Sequence, residues 1–187
     1  MGVVRSFLAL PLPAAVRDEV DARLADQRGR RPDLRWVPAD RWHLTLAFLG
    51  DVPEPVLASL QPRVERVCAR NPPMRLRLEA AGRFDQRVLW LGVGGDRLRL
   101  GRLAASISAA GDRVGIPREP GRYRPHLTVA RARGSVDLAA AVARLSDDAG
   151  SWFVADEVTL YASRLGASVE HTALNTWRLT GSVPTPA

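Results

Sequence analysis

An α+β fold with two pseudo-twofold lobes is the prediction for this chain: mostly antiparallel sheets line a central cleft, and the helices lie outside. Three observations lead to it. His43-Leu44-Thr45-Leu46-Ala47 returns 83 residues later, close to half the 187-residue chain, as His126-Leu127-Thr128-Val129-Ala130. Around each copy runs the same order of strand, helix, His-Leu-Thr strand, helix and strand, beginning once at Arg5 and again at Arg87. Most of the strand-like stretches alternate apolar with polar residues and are bounded by Pro or Gly, as half-buried antiparallel strands do. A fixed-period self-similarity of this kind reads as an internal duplication, with repeats at about 3–82 and 87–180 inside one domain spanning 1–187.

Taken in order, residues 3–10 form a first strand that stops at Pro11-Leu12-Pro13. Val16, Val20 and Leu24 recur at four-residue spacing and give one apolar stripe to a helix over 13–28. An arginine-rich loop through Pro32 leads to Trp36–Pro38 and then to the first His-Leu-Thr strand, Trp42 to Leu49, closed by Gly50-Asp51. Val56, Leu57, Leu60, Val64 and Val67 next have helical spacing and carry Cys68 along, with Pro62 set against an unbroken helix. Met74 to Ala80 alternate as a strand, and a turn around Gly82–Gln86 leads to a second strand from Arg87 to Val93. The stripe Leu100, Leu103, Ile107, Ala110 and Val114 makes the next helix. A polar loop, Gly115 to Arg122, then enters the second His-Leu-Thr strand. Asp137 to Leu145 form an Ala-rich helix, and Trp152–Tyr161 and Thr172–Leu179 are two last strands.

In a strand, residues i and i+2 share a face, so each copy sets an imidazole beside a hydroxyl while Leu44, Leu46, Leu127 and Val129 point into a core. With seven threonines in 187 residues, a Thr two places after a given His is about a 4% accident, and it happens for two of the three histidines. Facing lobes bring both pairs into one cleft. Two imidazoles able to be neutral or protonated near pH 7 can act as paired general acid and base. Two hydroxyls can donate to the non-bridging oxygens of a phosphodiester. No nucleophilic Ser, Cys or Lys is signalled, so water is the attacking group and no metal is required.

Composition narrows the chemistry further. All 27 basic residues are arginine, and the net charge is +7. Without lysine there is no Schiff-base, lysyl-adenylate or P-loop lysine chemistry. Excess arginine favours a phosphate-bearing partner such as RNA, since guanidinium matches phosphate oxygens bidentately. A single cysteine, Cys68, excludes a disulfide within the chain and a cysteine-based zinc site, and is assigned a structural role. No apolar run approaches the length of a membrane span, and the first ten residues lack the flanks of a signal peptide, so a cytoplasmic location is expected.

The paired His-x-Thr motifs, Phe48-Leu49-Gly50 after the first and Arg131 after the second resemble the two-histidine phosphoesterases. The likeness is closest to the bacterial and archaeal RNA 2',3'-cyclic phosphodiesterases, also named RNA 2'-5' ligases. It runs from Arg5-Ser6-Phe7-Leu8-Ala9 through both motifs to Leu160-Tyr161-Ala162-Ser163. The resemblance implies hydrolysis of RNA 2',3'-cyclic phosphate ends to 2'-phosphomonoesters, with reversible 2'-5' RNA ligation on the same site. It implies His43 as proton donor to the departing 3' oxygen and His126 as the base for water. Thr45 and Thr128 would hold the phosphate, Arg131 would contact phosphate or base, and Phe48 and Phe84 would hold the base. The expected partners are RNA with cyclic phosphate ends or cyclic nucleotides, and the expected state is a monomer with no cofactor.

Strict alternation would aim both Phe48 and Arg131 away from their histidines, so a bulge or strand end is needed to bring them round. Core packing accounts equally well for Phe48 and Phe84. His171, which has no Thr two residues on, reads as a surface position. Asp156 and Glu157 are assigned no role, and Arg122 and Arg124, which flank the second motif, can steer RNA or equally belong to a solvated loop. ADP-ribose cyclic phosphate and 2'-5' oligonucleotides are rival substrates, a non-catalytic RNA-binding module is a rival class, and a two-histidine metallohydrolase is a third reading.

Overall fold

A computed structural model describes residues 2–147, 149–166 and 169–182 of the chain. The strands are β1 (Val3–Pro11), β2 (Leu34–Trp36), β3 (His43–Pro53), β4 (Met74–Phe84), β5 (Val88–Gly95), β6 (His126–Ala132), β7 (Phe153–Ala155), β8 (Glu157–Leu165) and β9 (Val169–Arg178). Between them lie helices α1 (Ala14–Arg30), α2 (Glu54–Arg70), α3 (Arg97–Asp112) and α4 (Ala139–Ser146), with a 3-10 turn at Ala39–Arg41. One sheet has the order β3-β1-β8-β9 and the other β2-β6-β5-β4-β7, and every strand pair is antiparallel.

The helical stripes fall where the spacing puts them. Val16, Val20 and Leu24 of α1, Leu57, Leu60 and Val64 of α2, and Leu100, Leu103 and Ile107 of α3 are all buried. Cys68 is buried with the α2 stripe, and burial pushes its thiol up to about 12, which leaves it unreactive. Pro62 does not interrupt α2. Both Pro62 and Ala58, whose carbonyl loses its donor, face solvent, so water can serve that oxygen while the buried stripe holds the other side of the helix.

Three details of the sheets differ from the sequence expectation. The segment 152–161 is two strands, β7 and β8, and they belong to different sheets. Leu34–Trp36 is a short edge strand on β6. The Met74 strand runs on to Phe84 because Ala80, at φ 54°, takes up a bulge, and the reversal is left to Asp85 and Gln86. The strand that follows the second helix of each pass also crosses over: β4 pairs with β5, and β8 pairs with β1. Each sheet thus takes strands from both halves of the chain, and one contiguous set of buried side chains runs through both. Separating the halves would strip β1 and β5 of a neighbour each.

In β4 the space a side chain at Gly82 would take is filled from across the sheet. A Cβ there would collide with Cζ2 and Cη2 of the Trp90 indole. Gly82→Ala is expected to cost about 1–3 kcal/mol in urea unfolding, whereas Gly29→Ala, at an open position in α1, should gain up to about 1 kcal/mol. Equal effects of the two substitutions would refute the packing assignment.

Candidate active site

Each motif histidine is the first residue of its strand, His43 in β3 and His126 in β6. Leu44, Leu46, Leu127 and Val129 are all buried, so the alternation delivers the imidazole and the Thr hydroxyl of each copy to the other, cleft-facing side. The two rings are held in the same way. His43 Nδ1–H donates to the Arg41 carbonyl at 2.8 Å, and His126 Nδ1–H donates to the Arg124 carbonyl at 2.7 Å. A carbonyl only accepts, so this bond fixes the neutral tautomer and leaves Nε2 of each ring to take or give a proton. Neither Thr45 nor Thr128 spends its hydroxyl on a protein partner among the described residues.

Two bulges decide what joins these four residues. In the β1–β3 ladder Leu8 opposes Ala47 and Ala9 opposes Thr45, so Leu46 is the extra residue; in the β5–β6 ladder Leu89 opposes Ala130 and Trp90 opposes Thr128, so Val129 is the extra residue. Both lie three places after the histidine. The parity reverses there, and the residues five places on, Phe48 and Arg131, come round to the cleft side. Phe48 is 46% exposed and lines a cavity of about 400 Å³ with Thr45, Phe84 and His126. A core ring would not be left so open. Arg131 lies near enough for its charge to act on both histidines. Phe84 meets the His126 ring edge to face at 4.7 Å.

Aromatic side chains that the motifs did not single out complete the walls. Phe7 of β1 stacks on His43, with ring centroids 4.6 Å apart, and Tyr161 of β8 stacks on Phe7 at 5.1 Å and lies 6.1 Å from His43. On the opposite lobe Trp90 packs 5.4 Å from Phe84. Tyr123 donates its hydroxyl to the Thr45 carbonyl at 3.1 Å and so ties the loop before the second motif to the first motif strand. Phe7 and Tyr161 stood in the sequence inside stretches already singled out; what hid their role was that only the β1–β8 pairing sets them side by side.

His171 is not the surface residue the sequence suggested. It lies on β9 opposite Ser163, its ring perpendicular to His43 at 5.5 Å and edge-on to Phe7 at 4.9 Å. The missing signal was strand pairing, since no local spacing links residue 171 to residue 43. Asp156 and Glu157 pair with Arg178 on the outer edge, in keeping with the absence of any assigned role.

Electrostatically the cleft is basic. Burial above all, then the neighbouring His171, lowers His43 to about 4, although the bond to Arg41 pulls the other way. His126 is lowered as well, by burial first and by Arg131. Burial and the approach of Arg35 lower Arg131 itself. Among the described residues no carboxylate acts on either motif histidine, and an anion between the rings would raise both.

The same shifts carry a consequence for stability. A histidine lowered by folding stays neutral in the native state while the unfolded chain takes up a proton, so stability falls as pH drops from about 6.5 toward 4. For His43 the full loss is about 3 kcal/mol. Urea unfolding of His43→Gln should show a distinctly smaller drop between pH 7 and pH 4 than the unsubstituted protein. Parallel pH profiles would show that His43 is not buried in its neutral form.

Comparison with known proteins bears on this geometry directly. Residues 13–167 match the family described as the 2'-5' RNA ligase superfamily. An RNA 2',3'-cyclic phosphodiesterase of Escherichia coli (strain K12) is 33% identical over 94% of this chain and 97% of its own length. One from Geobacillus stearothermophilus is 27% identical over 94% of this chain, and the chain spans only 57% of that relative's length. Among solved structures, E. coli LigT complexed with 3'-AMP superposes with a TM-score of 0.77 at 30% identity, covering 95% of this chain and 99% of that one.

Proposed function

The chain belongs to the 2'-5' RNA ligase superfamily, and from that premise we propose that it opens RNA 2',3'-cyclic phosphate ends to 2'-phosphomonoesters, by two-histidine acid and base catalysis that needs no metal. The observation that carries this reading is the repetition in one cleft of an imidazole locked through Nδ1 beside a hydroxyl with no protein partner. Related proteins of this name support the choice of RNA ends, and the E. coli structure complexed with 3'-AMP supports a nucleotide ligand. No helix among the described residues is long and apolar enough to cross a membrane. In this proposal the protein works as a cytoplasmic monomer, a single bilobal unit of two repeats.

The reaction needs one proton shared between the rings. His126 Nε2 removes a proton from water as the water attacks phosphorus, and His43 delivers one to the departing 3' oxygen. Thr45 and Thr128 donate to the non-bridging oxygens, and Arg131 balances the charge that builds on them. Phe48 and Phe84 flank the base. Because burial keeps His43 neutral at pH 7 in the free cleft, its proton has to arrive with the phosphate anion, whose charge raises the neighbouring imidazoles. Ligation is the same displacement with the 5' hydroxyl of a second RNA in place of water: the P–O3' bond breaks, a 2'-5' diester forms, and attack by the freed 3' hydroxyl reverses it.

The direct test is incubation with 2',3'-cyclic AMP and with a short RNA ending in a cyclic phosphate, in excess chelator, followed by identification of the product isomer. A 2'-phosphate is expected. His43→Ala and His126→Ala should each lower kcat by about 10²–10⁴, and Thr45→Ala or Thr128→Ala by about 10²–10³. A 3'-phosphate product, or full activity in either histidine variant, would overturn the assignment. Activity recovered only with added metal would point to a metallohydrolase instead.

The pH profiles should separate free from occupied site. Both motif histidines are lowered in the free protein, so the kcat/KM bell is expected to centre below pH 6.5, since it reports the free enzyme. The kcat bell should lie at higher pH, because the bound anion raises both groups. Coincident profiles would mean that the anion does not set the protonation of the pair.

A further inference from the structure

On the far side of α3 from the cleft, a recess of about 270 Å³ between α2 and α3 is lined by Arg63, Arg66, Val67, Arg70, Ala110 and Arg113. We propose that this groove binds phosphodiester groups in the body of an RNA whose 3' end occupies the cleft, an inference that rests on the RNA-end activity proposed above.

The groove is built by helix periodicity. Residues 63, 66, 67 and 70 stand at i, i+3, i+4 and i+7 and share one face of α2, while residues 110 and 113 stand three apart on α3. Among the described residues no acid lines the recess. Some arginines elsewhere meet an Asp or Glu, among them Arg5, Arg28, Arg30, Arg31, Arg77 and Arg178. None of the four groove guanidiniums has such a partner among the described residues. Helix dipoles account for part of this, since Arg70 ends α2 and Arg113 caps α3, where a cation is favoured. Arg63 and Arg66 lie upstream of the last turn, beyond the range of that effect. Four like charges converging on one recess repel one another, and a ligand with several phosphates relieves the repulsion by pairing with guanidinium forks.

The route from the cleft to the groove follows the chain itself. The inner face of α3, with Gly101, Ala104 and Ser108, lines the cleft cavity, and Ala110 and Arg113 lie on its other side. One helix diameter, about 10 Å, separates the two. Beyond Arg113 the chain forms the rim of the cavity and carries Arg122 and Arg124 back to the second motif. An RNA strand leaving the cleft over the last turn of α3 meets the groove next. A mononucleotide reaches only the cleft, so the groove discriminates by RNA length.

The test compares kcat/KM for 2',3'-cyclic AMP and for an RNA of about 20 nucleotides ending in a cyclic phosphate, across a salt series, in the unsubstituted protein and in the triple variant Arg63→Gln, Arg66→Gln, Arg113→Gln. The cyclic AMP reaction should be unchanged. The RNA reaction should fall about tenfold or more at low salt, and its log–log salt slope should become shallower by about 2, as expected for three lost phosphate contacts on a single strand. The triple Arg→Lys variant should keep most of the RNA activity and the original slope. No effect on RNA, or an equal loss on both substrates, would overturn the proposal. Fluorescence-anisotropy binding of the same RNA with a blocked 3' end judges the groove apart from the activity: about tenfold weaker binding in the triple Gln variant is expected even where neither substrate turns over, and unchanged binding overturns it. Displacement of that RNA by submillimolar inorganic phosphate, with affinity independent of RNA length, would assign the groove to free phosphate and would likewise overturn the RNA reading.

Discussion

Each half of the cleft depends on one extra residue in an antiparallel ladder. Without the bulge at Leu46, strict alternation would carry Phe48 into the core, and without the one at Val129 it would do the same to Arg131. With the bulges, each strand turns one polar pair and one later residue toward the cleft and keeps its aliphatic residues on the buried side. A local departure from regular pairing thus lets a seven- to eleven-residue strand serve a core and a site together.

What surrounds the two imidazoles is less symmetric than what holds them. The backbone carbonyl two residues upstream fixes each ring's tautomer, but His43 lies under Phe7 with His171 at its edge, whereas His126 meets Phe84 and lies nearer solvent. Desolvation is therefore stronger at His43, and its charged form is the costlier of the two. A cleft with arginine close by and no carboxylate among the influences on its motif histidines is incomplete without an anion. Substrate charge and catalytic protonation are then coupled, so binding and chemistry share one electrostatic origin.

Crossed strands tie the two halves into one body. β4 leaves the first half to pair with β5, and β8 leaves the second to pair with β1. β3 is thereby two strands from β8, β6 pairs directly with β2 of the first half, and Tyr123 adds a direct bond across to Thr45. This arrangement supports a cleft of fixed width, which an in-line displacement between two facing groups requires.

The amino-acid sequence by itself determined the strand and helix order, the two His-x-Thr pairs, the apolar stripes and the basic character of the chain, because these rest on periodicity, spacing and composition, which are local or global properties of a string. Tertiary structure alone decided the rest. The bulges depend on which residue of the neighbouring strand stands opposite; the split of 152–161 depends on which sheet each half joins; and the nearness of His171, Phe7 and Tyr161 to His43 depends on the β1–β8–β9 register. Pairing across a hundred residues leaves no local pattern, since the free energy that selects it comes from burying both faces of a sheet at once.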